Sequence, residues 1–241
     1  RMRNEGENSP ADLFITVDAG RLQRAKKAKV LQPIENPILK DRIPFSLRDS
    51  ENYWFGLSQR ARTIIYNKNT VDVAKLSTYE DLASPQWKGR LCIRSSGSVY
   101  NQSLVASMIE INGIDKTESW ARGLVRNFAR PPTGGDTDLL KATAAGQCDI
   151  ALANTYYLGR LINSKIKTER KAAENLAVFW PNQGEEDRGV HVNVSGAGVT
   201  KYSRNKKEAL SLLEFLVTDE SQKWYAEVNN EYPVVEGAKI S

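Results

Sequence analysis

Short apolar runs alternate with helical patterns along nearly the whole chain of 241 residues. Each run has the length of a strand, and apolar residues spaced three and four apart usually follow it, which is typical of an α/β fold with largely parallel strands. The predicted strands are at residues 11–17, 62–66, 90–94, 148–154, 176–180 and 190–194. Since no internal repeat or low-complexity linker interrupts the pattern, a two-lobed body is favoured over two tethered domains.

The helical patterns predict helices at residues 19–29, 77–83, 101–112, 117–128, 136–145, 155–163, 206–217 and 220–228. In the helix at 117–128, the apolar spacing places Val125 on the inward face. Asp136 or Thr137 is expected to cap the helix at 136–145, because short polar side chains accept hydrogen bonds from the first backbone N–H groups of a helix.

The charge balance excludes few partners by itself: 34 Lys and Arg residues against 29 Asp and Glu give a net charge of +5. The densest basic cluster, residues 21–29, has the spacing of the solvated face of a helix. No recognised binding motif accompanies it, so we expect no nucleic-acid partner. No segment approaches the roughly 18 to 20 apolar residues that span a bilayer, which argues against a membrane-embedded protein.

Imidazole and thiol side chains are scarce. The sequence contains only His191, Cys92 and Cys148, which leaves almost no room for a zinc, copper or nickel site. No nucleophile elbow and no catalytic pair of carboxylates is apparent. We therefore expect a binding protein and no enzymatic activity.

Three tyrosines stand where a predicted strand gives way to a helix. Tyr156 and Tyr157 follow the strand at 148–154 directly, and Tyr100 follows the strand at 90–94 after a short turn. Ligands of open α/β sheets bind at the carboxyl ends of strands. The sequence thus predicts two strand ends that offer phenols to one crevice.

Phenol oxygens point to a hard, highly charged cation. A phenol, with a pKa of about 10, becomes a good ligand only as phenolate, and a trivalent ion such as Fe³⁺ withdraws enough charge to keep it so. Arg60 and Arg160 could favour the phenolate form or hold an accompanying anion. The alternative from these residues alone is that the tyrosines are packed amphipathic side chains with wet hydroxyls.

Six sequence blocks make the chain similar to the periplasmic ferric-ion-binding proteins of ABC transporters, most closely the cyanobacterial FutA type. They lie in the family's order over essentially the whole chain, and the blocks containing ANTYYLGRL and YNQSLVAS are highly specific. The blocks are DLFITVDAGRL (12–22), VLQPI (30–34), RLCIRSSGSVYNQSLVASMIE (90–110), GQCDIALANTYYLGRL (146–161), HVNVSGAGV (191–199) and EYPVVEG (231–237).

This resemblance implies a two-lobed solute-binding fold of type II, with strands that cross the hinge near residues 62–66 and 190–199. Residues 1–62 and 195–241 would form the first lobe, and residues 63–194 the second. The lobes of such proteins close on one iron ion.

The resemblance also implies the residues of the site. Tyr100, Tyr156 and Tyr157 match the family's phenolate ligands, and Arg60 and Arg160 match arginines just outside them. Positions that the phenols leave open would fall to water, to a synergistic anion such as carbonate, or to Asp18.

Four other residues have a weaker place in this comparison. Asp18 stands where related iron binders outside the subgroup use a carboxylate, and we expect it to reach the cleft through water. His191 alternates with valines and is expected to be structural. Cys92 and Cys148 lie on strands of the same predicted lobe, where a disulfide and two buried free thiols are equally open.

Relatives normally begin with a further strand and helix that carry another Tyr ligand and a neighbouring His, and they continue beyond Ser241. We therefore expect a chain truncated at both ends relative to the family, with weaker iron binding. No signal peptide opens the chain, so a periplasmic location rests on the resemblance.

These features together predict a monomeric extracytoplasmic receptor that captures Fe(III), or Fe(II) that later oxidises, and delivers it to the membrane permease of an ABC transporter. The alternative is a solute-binding protein for an anion or organic ligand without metal. The sequence leaves open the ferric or ferrous preference, the accompanying anion and the permease.

Overall fold

The structure is a computed structural model, and it describes residues 2–238. Among these residues no helix combines the length and apolarity needed to cross a membrane. In chain order the helices and strands are α1 (Met2–Glu5), β1 (Leu13–Val17), α2 (Ala19–Lys27), α3 (Pro37–Arg42), β2 (Phe55–Asn67), β3 (Leu91–Cys92), α4 (Val99–Asn112), α5 (Ile114–Arg126), α6 (Asp136–Ala144), β4 (Ile150–Asn154), α7 (Thr155–Ile162), α8 (Lys167–Glu174), β5 (Leu176–Phe179), β6 (His191–Val199), α9 (Lys206–Leu216), α10 (Asp219–Asn229) and β7 (Tyr232–Pro233).

The described chain divides into two compact units. Unit 1 comprises residues 2–60 and 193–238, and unit 2 comprises residues 61–192. The division falls within β2 and β6, so each of these strands contributes to both units. The predicted α/β class is confirmed, with strands and helices alternating along both units.

Unit 1 is built on antiparallel strands. β1 pairs with β6 from Leu13 opposite Val199 to Val17 opposite Ser195, and β7 pairs with the first part of β2. β6 passes very close to the start of β2. A Cβ atom on Gly196 would lie 2.5 Å from the carbonyl oxygen of Phe55, the first residue of β2. Only glycine lets the two backbones approach this closely.

Helix α9 is tied to the start of β1 by one carboxylate. Asp12 accepts hydrogen bonds from the backbone N–H groups of Arg204 and Asn205, both at 3.0 Å, and from the Ser203 hydroxyl at 2.8 Å. The side-chain amide of Asn205 donates as well, at 2.9 Å. The hydrogen bonds, led by the Asn205 side chain, lower the pKa of Asp12 to about 2.

The expectation of largely parallel strands was wrong: among the described residues the named strands form one parallel pair, in unit 2, and the other described pairs in both units are antiparallel. β3 runs parallel to β4, with Leu91 opposite Ile150 and Cys92 opposite Ala151. β4 and β5 in turn pair antiparallel with the second part of β2. One core cluster of this unit contains fully buried Trp87, and its apolar side chains come from β2, β3, β4, α4, α5 and the segment 71–87.

Some predicted details were wrong. The segment at 77–83 forms only a 3-10 turn at Glu80–Ala83, and α8 was not predicted because its face carries little apolar surface. Val125 is 60% exposed, because it lies about 100° around the helix from buried Leu124 and therefore points away from the face that packs.

The cap of α6 was also predicted wrongly. Gly135 is the N-cap residue, and its backbone N–H donates to the Asp138 carboxylate at 2.8 Å. Asp136 is the first residue of the helix and is fully buried. Its carboxylate does not cap the helix because it forms ion pairs with Arg62 and Arg94 inside the unit.

A disulfide bond links Cys92 at the end of β3 to Cys148 just before β4, with the Cα atoms 5.9 Å apart. Both residues are buried. The sequence left this pairing open, and the structure decides it. The bridge closes a loop with a sequence separation of 56 residues that contains α4, α5 and α6.

We expect the double variant Cys92→Ala/Cys148→Ala to unfold with a free energy about 2–4 kcal/mol lower than that of the wild type, because the cross-link restricts the unfolded chain. Urea denaturation followed by circular dichroism measures this difference. Dithiothreitol should destabilise the wild type and leave the double variant unchanged. Equal stability of the two proteins under oxidising conditions would contradict the prediction.

We expect Asp12 to make stability depend on pH. Its folded-state pKa of about 2 lies below the ordinary value of 3.8 for an aspartate, so its contribution to stability is fully present above the unfolded-state pKa and is lost as pH falls from about 4 towards 2. In thermal melts, the difference in Tm between wild type and Asp12→Asn should shrink between pH 5 and pH 2.5. A difference that stays constant over this range would contradict the assignment.

Candidate metal centre

Two helix starts carry the three tyrosines in unit 2. β4 runs into α7 without an intervening loop, so Tyr156 and Tyr157 lie in the first turn of that helix. Tyr100 is the second residue of α4, which follows β3 after a short turn. Because β3 and β4 are parallel, both helix starts lie beyond the same edge of the sheet.

The structure brings the three phenols together. The Tyr156 hydroxyl donates a hydrogen bond to the Tyr100 hydroxyl at 3.1 Å, and the rings of Tyr156 and Tyr157 have centroids 4.3 Å apart. Tyr156 is 4% exposed, and the other two are half-buried. The side-chain amide of Asn154 donates to the Tyr156 hydroxyl at 3.4 Å.

Without a cation, this environment favours the neutral phenols. Burial, followed by the hydrogen bonds to Tyr100 and Tyr157, raises the pKa of Tyr156 far above its ordinary value. Burial also raises the pKa of Tyr157, with a further contribution from the negative charge of Asp136. A ligand that needs phenolate must therefore supply enough positive charge to displace these protons.

Arg160 lies against the tyrosine pair from the last turn of α7. Its guanidinium carbon is 4.8 Å from the ring centroid of Tyr156 and 5.8 Å from that of Tyr157. The residue is exposed, so its charge is partly screened by solvent. The position fits the predicted role beside the phenols, and that role stays a prediction.

Two arginines that the sequence analysis did not single out lie beside Tyr100. The guanidinium carbons of Arg62 and Arg94 are 5.9 Å and 5.6 Å from the centre of its ring. Both arginines form ion pairs with the buried carboxylate of Asp136, at 3.1 Å and 2.9 Å. A signal for this group was available, because an arginine within the apolar strand at 62–66 must find a buried partner.

The donor set among residues 2–238 contains no group of three or more His, Cys, Asp and Glu side chains that could hold a metal ion. The three tyrosines at the strand ends are oxygen donors that could bind a metal ion once ionised. Phenolates suit a hard trivalent cation, whereas zinc, copper and nickel favour imidazole and thiolate.

A family model for bacterial extracellular solute-binding proteins matches residues 8–240. The chain belongs to this family. Together with the relatives described next, this match confirms the resemblance inferred from the six sequence blocks and the α/β fold that it implied.

Individual relatives are similar over the entire chain. Iron uptake protein A1 of Synechocystis sp. is 49% identical over 241 residues, which make up 100% of this chain and 66% of that protein. A structure of Trichodesmium FutA (IdiA) in complex with iron and citrate is 56% identical, with a TM-score of 0.96 over 100% of this chain and 76% of the other. The Campylobacter jejuni ferric binding protein is 40% identical, with a TM-score of 0.96 and the same coverage. The chain thus spans about two thirds of the length of the first of these relatives.

The remaining predicted site residues of this solute-binding protein lie in unit 1. Arg60 is buried, and its guanidinium donates to the Ser195 hydroxyl at 2.8 Å. That hydroxyl in turn donates to the carboxylate of Glu231 at 3.2 Å. Arg60 is therefore anchored between β2 and β6, and its predicted contribution to metal binding is not tested by these contacts.

Asp18 also lies in unit 1, at the junction of β1 and α2, with a φ of +80°. Its carboxylate accepts from the backbone N–H of Gly20 at 2.9 Å and from the side-chain amide of Asn193 at 3.0 Å. These bonds hold a backbone conformation that costs a non-glycine residue energy. The side chain thus has a structural role, and its predicted approach to the cleft through water stays a prediction.

His191, the first residue of β6, contributes its backbone to a buried contact. Its N–H donates to the Tyr79 hydroxyl at 3.1 Å, and that hydroxyl also bonds to the carbonyl oxygen of Arg62. The contact belongs to the strand framework of unit 2. The expectation that the imidazole is structural stays a prediction.

Proposed function

We propose that this solute-binding protein captures Fe(III) through the phenolates of Tyr100, Tyr156 and Tyr157 and delivers it to the permease of an ABC transporter. The observation that carries the proposal is the convergence of three phenols on one edge of unit 2, with two hydroxyls 3.1 Å apart. The iron-related names of similar proteins over the full chain support the same cargo.

Charge explains why the cargo is ferric iron. Three phenolates carry three negative charges and neutralise Fe³⁺, whereas Fe²⁺ would leave one uncompensated charge in a half-buried site. Phenolate is a hard ligand, which favours the same ion. The proposal therefore places Fe(III) in the loaded protein and allows Fe(II) only as a form that oxidises on binding.

The arginines and Asp18 would act outside the three ligands. Arg160 lies over two of the phenol rings and would stabilise their ionised form or hold an accompanying anion, such as carbonate or a carboxylate. The similar Trichodesmium protein contains citrate beside iron, which supports a carboxylate anion. We propose the same outer role for Arg60 and, through water, for Asp18.

The wider assignments follow from the same proposal. Residues 1–62 with 195–241 and residues 63–194 would act as the two lobes, in a monomeric receptor located in the periplasm. The protein would bind and release its cargo without breaking a bond in an organic substrate.

A receptor for an anion without metal is the second candidate. It is favoured by the three arginines around the phenols, since Arg62, Arg94 and Arg160 all lie within 6 Å of a tyrosine ring centre. Native mass spectrometry distinguishes the two functions. A strong chelator would remove an iron adduct, whereas it would leave an organic anion in place.

We expect Tyr100→Phe, Tyr156→Phe and Tyr157→Phe each to weaken Fe(III) binding at least about 100-fold, because loss of an outer-shell partner alone costs 10- to 100-fold. The loaded wild type should be coloured by a phenolate-to-iron charge-transfer band, and each variant should lose intensity in it. Competition with a chelator of known affinity, followed at that band, measures both effects.

Tyr66→Phe is the matched control. Tyr66 lies in the same unit opposite Ile150, at the far end of β4 from the cluster, so the same loss of a hydroxyl should leave iron binding unchanged. Colourless loaded protein together with full affinity in all three variants would sink the proposal.

We expect iron binding to release at least two protons at pH 7, because the raised pKa values of Tyr156 and Tyr157 keep both phenols neutral before the ion arrives. Affinity should accordingly rise with pH. Calorimetry in buffers of different ionisation enthalpy, with iron supplied as its citrate chelate and corrected for chelate dissociation, measures the proton count. Tyr156→Phe should release one proton fewer, and binding without proton release would contradict phenolate ligation.

A further inference from the structure

The carboxylate of Asp136 occupies a place where an isolated charge would be unstable. The side chain is 0% exposed and begins α6, and a buried carboxylate persists only when it is paired and hydrogen-bonded. Each of its oxygens has its own partner: Oδ1 accepts from Arg62 at 3.1 Å, and Oδ2 accepts from Arg94 at 2.9 Å. One carboxylate thus fixes two guanidinium groups.

Arg62 connects this carboxylate to both tyrosine-bearing helix starts. It is 2% exposed and donates to the side-chain oxygen of Asn101 at 2.6 Å and to that of Asn154 at 3.2 Å. Asn101 is next to Tyr100, and Asn154 donates in turn to the Tyr156 hydroxyl. A shift of Arg62 would therefore disturb the hydrogen bonds at both strand ends that carry the tyrosines.

Arg94 completes the arrangement from the turn before α4. Its backbone carbonyl accepts a hydrogen bond from the Asn101 side chain at 2.7 Å, and its guanidinium lies 5.6 Å from the centre of the Tyr100 ring. Burial alone would lower the pKa of Arg94, but Asp136 outweighs that effect and raises it. Arg94 is therefore a permanent cation whose position depends on Asp136.

A structural role alone does not explain this choice of residues. A buried ion pair often contributes no more to stability than apolar side chains of the same size. Here the pairing leaves two positive charges and one negative charge beside a cluster of phenols. The arrangement is suited to setting both the place of Tyr100 and the local potential.

We propose that Asp136 is a positioning residue of the iron site, which holds Arg62 and Arg94 against Tyr100 and limits the positive charge that the phenol cluster experiences. The inference rests on the proposed iron-binding function and deepens it. Asp136 touches neither the ion nor a bound anion in this assignment and acts through the two arginines.

The test compares Asp136→Asn with Asp138→Asn. Both variants remove one negative charge from the first turn of α6, but Asp138 is exposed and its carboxylate accepts a hydrogen bond from the N-cap residue Gly135. We expect Asp136→Asn to release Fe(III) to a chelator at least about tenfold faster than the wild type. We also expect its bound iron to have a more positive reduction potential, because the added positive charge stabilises the reduced centre. Asp138→Asn should match the wild type in both measurements.

Two further variants keep the test decisive if Asp136→Asn folds poorly. Arg94→Met removes the partner that is 27% exposed. It should also speed iron release, because Tyr100 loses a neighbour that holds it in place, but it should shift the reduction potential in the negative direction, because a positive charge is lost. Asp136→Glu keeps the charge and should restore the wild-type potential while thermal melts report any loss of stability separately.

The outcomes separate the two levels of the proposal. Iron-loaded wild type together with unchanged release and potential in folded Asp136→Asn and Arg94→Met would overturn the role of Asp136 and leave the proposed function intact. A wild type that takes up no Fe(III) would overturn both. If Asp138→Asn released Fe(III) as fast as Asp136→Asn, the effect would be due to the stability of α6. This result would also overturn the positioning role of Asp136.

Discussion

The parallel pairing of β3 with β4 is the constraint on which the candidate site depends. It places the carboxyl ends of two strands at one edge of the sheet, and each end leads to a helix that begins with tyrosine. The disulfide between Cys92 and Cys148 ties the same two strands together inside the unit. Strand pairing and this covalent bond therefore fix the two strand ends from which the helices of Tyr100 and Tyr156 begin.

Electrostatics then decides what such a cluster can bind. Burial raises the pKa of Tyr156 and Tyr157, so a cation that bound them as phenolates would have to displace their protons. The surrounding arginines favour the ionised phenols but oppose the approach of any cation, and the buried carboxylate of Asp136 offsets part of that opposition. Binding strength would thus follow from a balance between proton loss, the charge of the ion and the position of the arginines.

The sequence predicted the tyrosines of the site and their positions on the strands and helices, but it did not predict the buried ion pairs that lie beside them. The strand-to-helix junctions of Tyr100 and of the Tyr156 and Tyr157 pair could be read from local patterns, because apolar runs and helical spacing are local features. The role of Asp136 could not, because its carboxylate turns away from the helix end and meets residues far away in the chain. The prediction that Val125 faces inward was wrong for a similar reason, because the neighbouring elements decide which face of α5 packs.

By itself the sequence determined the α/β class, the shortage of imidazole and thiol ligands, the three candidate phenols and the family blocks, since these depend on residue identity and spacing. Only the tertiary structure decided the disulfide, the contact between the Tyr100 and Tyr156 hydroxyls, and the pairing of Arg62 and Arg94 with Asp136. These features require the approach of residues separated by tens of positions in the chain. Burial and strand pairing determine such approaches, and no local pattern encodes them.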